Sequence, residues 1–278
     1  MTTSASLIDI RTFYTPASAT PLGNKLIPRN FYQTYKTSLF DVQHAEWMKV
    51  YRSKHPEFNF IFHGDAEMDE FMLSEWGDHP IYPVYKGAQF GPSKADIWRY
   101  CILYSHGGIY LDIDSALLFN MNGIPSDVAE MVSYEANELK NFSWDQAWPC
   151  ARFFLKHQLE EKRLFNPGNI ALQWFLAFKS QHPILKNVID LIVANAGFYA
   201  NKEFENVLHA VVSFTGPVIY TQAVWEYVQA GNEVAQFGHD VNGLAVFKNI
   251  PNHQESVYLN EPNHYETQRS KKILILDI

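Results

Sequence analysis

The sequence predicts an α/β layer fold, and three observations carry that prediction. From Lys25 onward, short apolar runs alternate with helix-length amphipathic stretches, the pattern of strands covered by helices. With 278 residues, 47% of them hydrophobic, the chain is long enough to bury a full core. Helix starts and stops are also punctuated, by Asp41, by Pro92-Ser93 and by Gly107-Gly108. Residues 1–24, rich in Ser, Thr, Ala and Pro, read as a loose arm, and 25–278 as one domain with a variable back part.

Taken in order, LIPRNFYQTY is read as the first strand and its exit. Asp41 caps a helix that runs to about Lys54 and is closed by His55-Pro56, because a residue before proline disfavours the helical region. FNFIFHGD follows as a second buried strand, then a helix near Ala66 to Trp76, then HPIYPVYKGAQFGPS as a loop. Pro92-Ser93 opens the next helix, where Ser93 and Asp96 have capping-box-like spacing, and Ile97, Tyr100, Cys101 and Tyr104 form its apolar stripe. Gly107-Gly108 ends it, and IYLDID leaves as a strand, followed by SALLFN. Residues 137–165 are irregular and aromatic, with Trp144 and Trp148 among them, and read as a binding loop or an insertion. After Asn166-Pro167-Gly168 a helical stretch is expected to Gln181, broken by His182-Pro183 before the helix ILKNVIDLIVANA. Pro217 opens VIYTQAVWEYVQA, which ends at Gly231, and LAVFKNI, SVYL and KILILDI read as short strands.

Composition excludes several classes. The net charge is −8 with no Lys/Arg block, whereas a nucleic-acid binder carries a basic stripe. Cys101 and Cys150 form no C-x-x-C pair, so neither a zinc site nor a disulfide framework is indicated. No segment reads as a secretion signal or as a membrane span of about 18 apolar residues. The chain is therefore expected to be soluble and cytoplasmic, and the Asn141-Phe142-Ser143 sequon to be coincidental.

The chemistry concentrates in GGIYLDIDS, residues 107–115. On an extended strand Asp112 and Asp114 share a face, because side chains alternate with period two. Two like charges on one face repel unless a cation lies between them, and hard oxygen ligands suit a divalent ion that also grips a diphosphate. A D-x-D pair also arises by chance in surface strands. Its setting, at a strand end after a capped helix, favours the metal site, since ligands of open α/β sheets gather at such ends. Asp96 and Arg99 share one helix face three residues apart. Spacing alone leaves two readings: a cap and an internal ion pair, or groups that bind sugar hydroxyls and phosphate oxygens.

KADIWRYCILYSHGGIYLDIDS resembles the core motif of glycosyltransferase family 32, the DXD sugar transferases that include fungal outer-chain mannosyltransferases and share this motif with large glucosylating toxins. IPRNFYQTYKT, QWFLAFKSQHPIL and FTGPVIYTQAV resemble three further family segments in the same order, so the likeness covers residues 25–225. It implies a GT-A fold with a mixed sheet, and Mn²⁺- or Mg²⁺-dependent, retaining transfer of a hexose from a UDP- or GDP-sugar to a hydroxyl of a glycan or other acceptor. Carried over, Asp114 binds the metal directly, while Asp112 meets it through water or holds the ribose. Asp96 and Arg99 bind donor sugar and diphosphate, Gln33, Thr34 and Tyr35 line the nucleotide pocket, and Gln173 lies near the anomeric carbon.

The chain departs from the family pattern in three places. Tyr35 replaces a tryptophan, Ser180-Gln181 replace Pro-Gly before His182-Pro183, and the C-terminal His followed by Ser-Trp has no clean match. His264 is the first candidate for that histidine as a metal ligand, with His253 and His239 behind it. Two other classes compete. A Mg²⁺-dependent phosphohydrolase with an aspartate nucleophile would carry its D-x-D on the first strand, whereas here it comes after residue 100. A non-catalytic sugar-binding module would use Trp144 and Trp148 and bind without Asp114.

Overall fold

The computed structural model describes residues 7–13, 25–118, 123–135, 170–246 and 265–277. The 137–165 loop with its sequon and Cys150, the SVYL strand, His253, His264 and the side chain of His239 lie outside the described residues. The strands are β1 (Leu7–Asp9), β2 (Asn30–Thr34), β3 (Leu39–Asp41), β4 (Asn59–His63), β5 (Gly108–Leu111), β6 (Ala116–Leu117), β7 (Glu130–Tyr134), β8 (Phe175–Phe178), β9 (Glu203–Asn206), β10 (Gln236–His239), β11 (Ala245–Val246) and β12 (Arg269–Lys272). The helices are α1 (Val42–Ser53), α2 (Asp65–Trp76), α3 (Ile81–Gly87), α4 (Gly91–His106), α5 (Pro183–Tyr199), α6 (Val207–Phe214) and α7 (Pro217–Gln229).

The central sheet has six strands in the order β10-β7-β8-β5-β2-β4. β4, β2 and β5 are mutually parallel, β8 runs antiparallel to both β5 and β7, and β10 is parallel to β7. This is the expected α/β class with a mixed sheet flanked by helices. β5, β7 and β8 are buried along their whole length, as strands with both faces covered must be. Period-two alternation divides their contacts. Tyr32 and Tyr110 face the core built with α2 to α7, while Phe31, Ile109 and Leu111 face a second core with Tyr51 of α1. Full burial of each such large side chain contributes about 1.5–3 kcal/mol.

Several expectations hold at residue level. Asp41 caps α1, its Oδ1 accepting from His44 N at 3.0 Å. Gly107 closes α4 at φ 64°. The two glycines are forced by space as well as by angle. A Cβ on Gly107 would lie 2.6 Å from Ser180 N, and one on Gly108, at φ 120°, would lie 2.4 Å from Asn30 O. Gly108→Ala is therefore expected to destabilise the fold by at least about 3 kcal/mol, seen as an earlier urea midpoint at unchanged m-value.

Six expectations are corrected. Within the expected loose arm, Leu7–Asp9 forms β1, paired antiparallel with β3, and Ile10 after it is fully buried. KILILDI is not a strand: β12 stops at its first residue, Lys272, and only isolated bridges at Leu274 follow. The stretch up to Gln181 is not helical but contains β8, a central strand whose continuous apolar run does not distinguish a buried strand from a buried helix. HPIYPVYKGAQFGPS contains α3, with Pro83 in the first turn, where no amide proton is needed. Ser93 and Asp96 form no capping box: Phe90 is the N-cap of α4, and Asp96 points into the core. Finally, β5 ends at Leu111, so Asp112 and Asp114 stand in a turn closed by Ser115 N donating to Asp112 O at 3.0 Å. His182 has a structural role: its Nδ1 accepts from Ile184 N at the start of α5, leaving Nε2–H to donate to Glu130 Oε2 at 3.0 Å.

Val207–Gln229 is the one described stretch apolar and long enough by composition to cross a membrane. It consists of two helices broken at Thr215-Gly216, and 78% of its most apolar part is buried within the fold.

Candidate active site

The parallel strands β2 and β5 end together, with Tyr32 paired to Tyr110, so Gln33-Thr34-Tyr35 and Asp112-Ile113-Asp114 emerge at one edge of the sheet. β8 enters at the same edge, because Asp112 N donates to Trp174 O at 2.9 Å. α4 packs above and brings Asp96 and Arg99. Strand ends, one helix and one incoming segment thus place Asp96, Arg99, Gln173, Asp112, Asp114, Gln33 and Thr34 around one edge.

Arg99 is the hub. Its Nη2 lies 3.2 Å from Asp96 Oδ1 and its Nη1 3.4 Å from Asp112 Oδ1, while Nη1 also donates to Gln173 O at 3.1 Å. The guanidinium lies over the Tyr110 ring at 4.2 Å, and the Tyr110 hydroxyl donates to Asp112 Oδ1 at 2.6 Å. The Asp96 side chain is 7% exposed and the Asp112 side chain 29%, so Asp112 is the carboxylate that opens to solvent. Asp96 is held from three sides: by Arg99, by Gln173 Nε2 at 3.1 Å and by Thr215 Oγ1 at 2.8 Å. Burial pushes its carboxyl pKa up, against the opposing pull of Arg99, Thr215 and Gln173. Burial likewise opposes the charge of Arg99, but Tyr110, Asp112 and Asp96 outweigh it and hold the guanidinium charged.

At Asp112, burial and the charge of Asp114 raise the pKa to about 6, against Arg99 and Tyr110. The aspartate pair is therefore close enough to repel, as the spacing implied, although a turn and not a strand face brings the two together. Asp114 is buried, and Ser115 Oγ donates to its Oδ1 at 3.2 Å. Two carboxylates on one guanidinium, with Asp114 close to Asp112, leave a negative excess of hard oxygens, which fits a divalent cation whose remaining positions go to water and phosphate. Among the described residues no group of three His, Cys, Asp or Glu side chains converges to hold a metal alone. Protein ligation by the pair with open positions is the arrangement that this donor set allows.

The other expected residues sit as follows. Gln33 is buried on the α1 side, its Oε1 3.5 Å from Arg52 Nη2. Thr34 Oγ1 donates to His63 O at 2.7 Å. The Tyr35 ring packs on Phe40, with Lys36 Nζ over it. Gln173 presents its buried amide to Asp96 and to the Tyr100 hydroxyl, 2.6 Å away.

Two residues near this cluster escaped sequence reasoning. Tyr265, directly after His264, lies in the field of Asp96, Asp112 and Arg99, so the C-terminal segment returns to the site. Glu135, at the end of β7, is pushed up to about 7 by burial and by Asp240, with Asp112 adding to the effect and Trp174 partly offsetting it. Neither carries a local motif; only the strand order brings them here. An acid whose pKa is raised on folding stabilises the fold when protonated, and that stability is lost as pH rises from the unfolded value of 4.5 through about 7. After discounting for partial exposure, the loss between pH 5 and pH 8 is about 2 kcal/mol. Glu135→Gln is expected to remove it, so that its melting temperature exceeds that of the wild type at pH 8 and nearly matches it at pH 5.

A mixed α/β sheet with an Asp-x-Asp turn at a parallel strand end, backed by a helix-borne Asp-Arg pair, is the arrangement that the resemblance to DXD sugar transferases leads one to expect. Residues 31–130 match the family described as glycosyltransferase sugar-binding region containing DXD motif. The pair follows the β5 strand, which removes the first-strand pattern that a phosphohydrolase requires. The initiation-specific alpha-1,6-mannosyltransferase of Schizosaccharomyces pombe is 26% identical over 207 residues, covering 73% of this chain and 49% of that protein. Its Candida albicans namesake is 24% identical over 216 residues, covering 74% and 54%. Inositol phosphoceramide mannosyltransferase 3 of S. pombe is 34% identical over 89 residues, covering 32% and 24%. The chain thus spans about half the length of the first two relatives, and less of the third. Among solved structures, PaToxG Glycosyltransferase superposes over 80% of this chain and 74% of its own, with a TM-score of 0.45 and 17% identity.

Proposed function

We propose that this chain transfers a hexose from a nucleotide-diphosphate sugar to a hydroxyl of a glycan or other acceptor, with retention at the anomeric carbon and with Mn²⁺ or Mg²⁺ as cofactor. The observation that carries the reading is the Asp96–Arg99–Asp112 chain of ion pairs with Asp114 beside it, at the edge where β2 and β5 end. The mannosyltransferase names of the relatives make mannose the first hexose to test.

In this reading Asp114 holds the metal directly, and Asp112 reaches it through water or holds the ribose. His264 is proposed as a further ligand. The divalent ion, when bound, supplies Lewis-acid stabilisation of the departing diphosphate. Arg99, held charged and locked by four acceptors, adds a fixed positive charge there without reorganising as the bond breaks. Asp96, buried with both oxygens engaged, orients the guanidinium toward the donor sugar, with Gln173 beside it at the anomeric end. Tyr35 offers a ring to the nucleotide base, with Gln33 and Thr34 shaping that pocket. The acceptor oxygen bonds to the anomeric carbon as the carbon–phosphate-oxygen bond breaks on the same face, and its proton passes to the departing phosphate.

The test is a panel of UDP- and GDP-sugars with Mn²⁺, scored by donor hydrolysis and transfer to simple glycosides. Turnover of one donor, lost on chelation, supports the reading. Sugar binding that survives Asp114→Ala without turnover would assign the chain to the non-catalytic class instead. Fractionation of the natural source tests the cytoplasmic location.

A further inference from the structure

The break between α6 and α7 is wired to the candidate donor site. Thr215, fully buried, caps the end of α6, and its amide and that of Gly216 both donate to Val211 O, at 3.0 and 3.1 Å. The bend is held rigidly, since a Cβ on Gly216 would lie 2.7 Å from Val212 Cα. Thr215 meets these residues through both its hydroxyl and its carbonyl, which also accepts from Gln173 Nε2 at 3.3 Å. Its hydroxyl donates to Asp96 Oδ2 at 2.8 Å, and its carbonyl accepts from the Tyr100 hydroxyl at 3.1 Å. Gln173 Nε2 closes the ring between Tyr100 and Asp96. One turn further along α7, Thr221 Oγ1 accepts from Ala171 N at 2.8 Å, fixing the segment that carries Gln173.

The consequence falls on Arg99. Asp96 Oδ1 and Asp112 Oδ1 compete for the same guanidinium, and the balance depends on where the Asp96 carboxylate points. The Thr215 hydroxyl engages the opposite oxygen and so leaves Oδ1 facing Arg99 Nη2. Without it, a carboxylate with a free oxygen turns to satisfy that oxygen, and Arg99 loses its anchor.

We propose that Thr215 is a positioning residue for the donor site: its hydroxyl fixes Asp96 in the orientation that holds the Arg99 guanidinium toward Asp112. The catalytic consequence rests on the transferase reading of Arg99; the positioning itself does not.

Two measurements separate the two. In nitrogen-resolved NMR of the arginine side chains, wild-type Arg99 is expected to show distinct Nη1 and Nη2 signals, because both nitrogens are bonded. Thr215→Val, which keeps the shape and loses the hydroxyl, is expected to average them; Thr215→Ser, which keeps the hydroxyl, is expected to restore the split. Distinct signals in both variants would overturn the proposal whether or not any donor turns over. With an active donor, Thr215→Val should lower kcat/KM about 10- to 100-fold, as loss of a hydrogen bond to a charged group does, while the acceptor KM holds, and Thr215→Ser should recover to within about threefold. Equal losses in both variants would mark Thr215 as packing only and would also overturn it. Should Thr215→Val not fold, Thr215→Ala removes the same hydroxyl without adding volume and carries the same expectation.

Discussion

Asp114→Asn is expected to lower metal-dependent turnover by about 10³-fold while leaving the folded state intact. A divalent ion supplies several kcal/mol of charge stabilisation to a departing diphosphate, and each 1.4 kcal/mol is tenfold in rate. The amide side chain would keep an oxygen in place but lose the charge that anchors the ion. The same change relieves repulsion within the pair, since the charge of Asp114 is one cause of the raised pKa at Asp112. In chelator, the variant is therefore expected to melt no lower than the wild type. Parallel loss of activity and stability would instead mean that Asp114 serves the fold.

Arg99→Met is the second large effect, and it falls on both stability and activity. The guanidinium is the described counter-charge of Asp96 and Asp112, and removing one partner of a buried ion pair costs about 3–5 kcal/mol. Asp112 is partly exposed, so the lower figure applies, which for a chain of this size lowers the melting temperature by about 6–12 °C. The loss depends on pH in a defined direction. Without Arg99 both carboxyls titrate higher in the folded than in the unfolded state, so the folded variant binds more protons and regains stability as pH falls. The deficit is expected to be largest near pH 8 and to shrink toward pH 5. A deficit independent of pH would assign the effect to lost packing on Tyr110.

How much of this was legible in the sequence follows from the range of the signals. Local chemistry was readable: Asp41 as a cap, proline at the start of α7 and the glycine pair after α4 are dictated by backbone geometry within a few residues. The grouping of Asp96, Arg99, Asp112 and Asp114 was readable because one short segment carries all four. Errors arose where tertiary context decides. β8 is apolar on both faces because both are covered, Leu176 and Phe178 lying in one core and Phe175 and Ala177 in the other. Ser93 and Asp96 have the spacing of a cap, yet Asp96 is drawn inward by Thr215, a residue 119 positions away. The two aspartates lie close together through a turn, not through the shared strand face that their spacing implies. Glu135 and Tyr265 had no signal, since their place at the site comes from strand order and from the return of the C-terminal segment.

The central claim is that the aspartate turn and Arg99 form a metal-dependent site for a nucleotide-diphosphate sugar. Calorimetric titration of GDP-mannose and UDP-glucose into the wild-type protein and Asp114→Asn, each with Mn²⁺ and with chelator, tests it most directly. The expected result is saturable binding of one donor to the wild type with Mn²⁺ only, and none to Asp114→Asn. Donor binding of equal strength with and without the metal, or unchanged in Asp114→Asn, would contradict it.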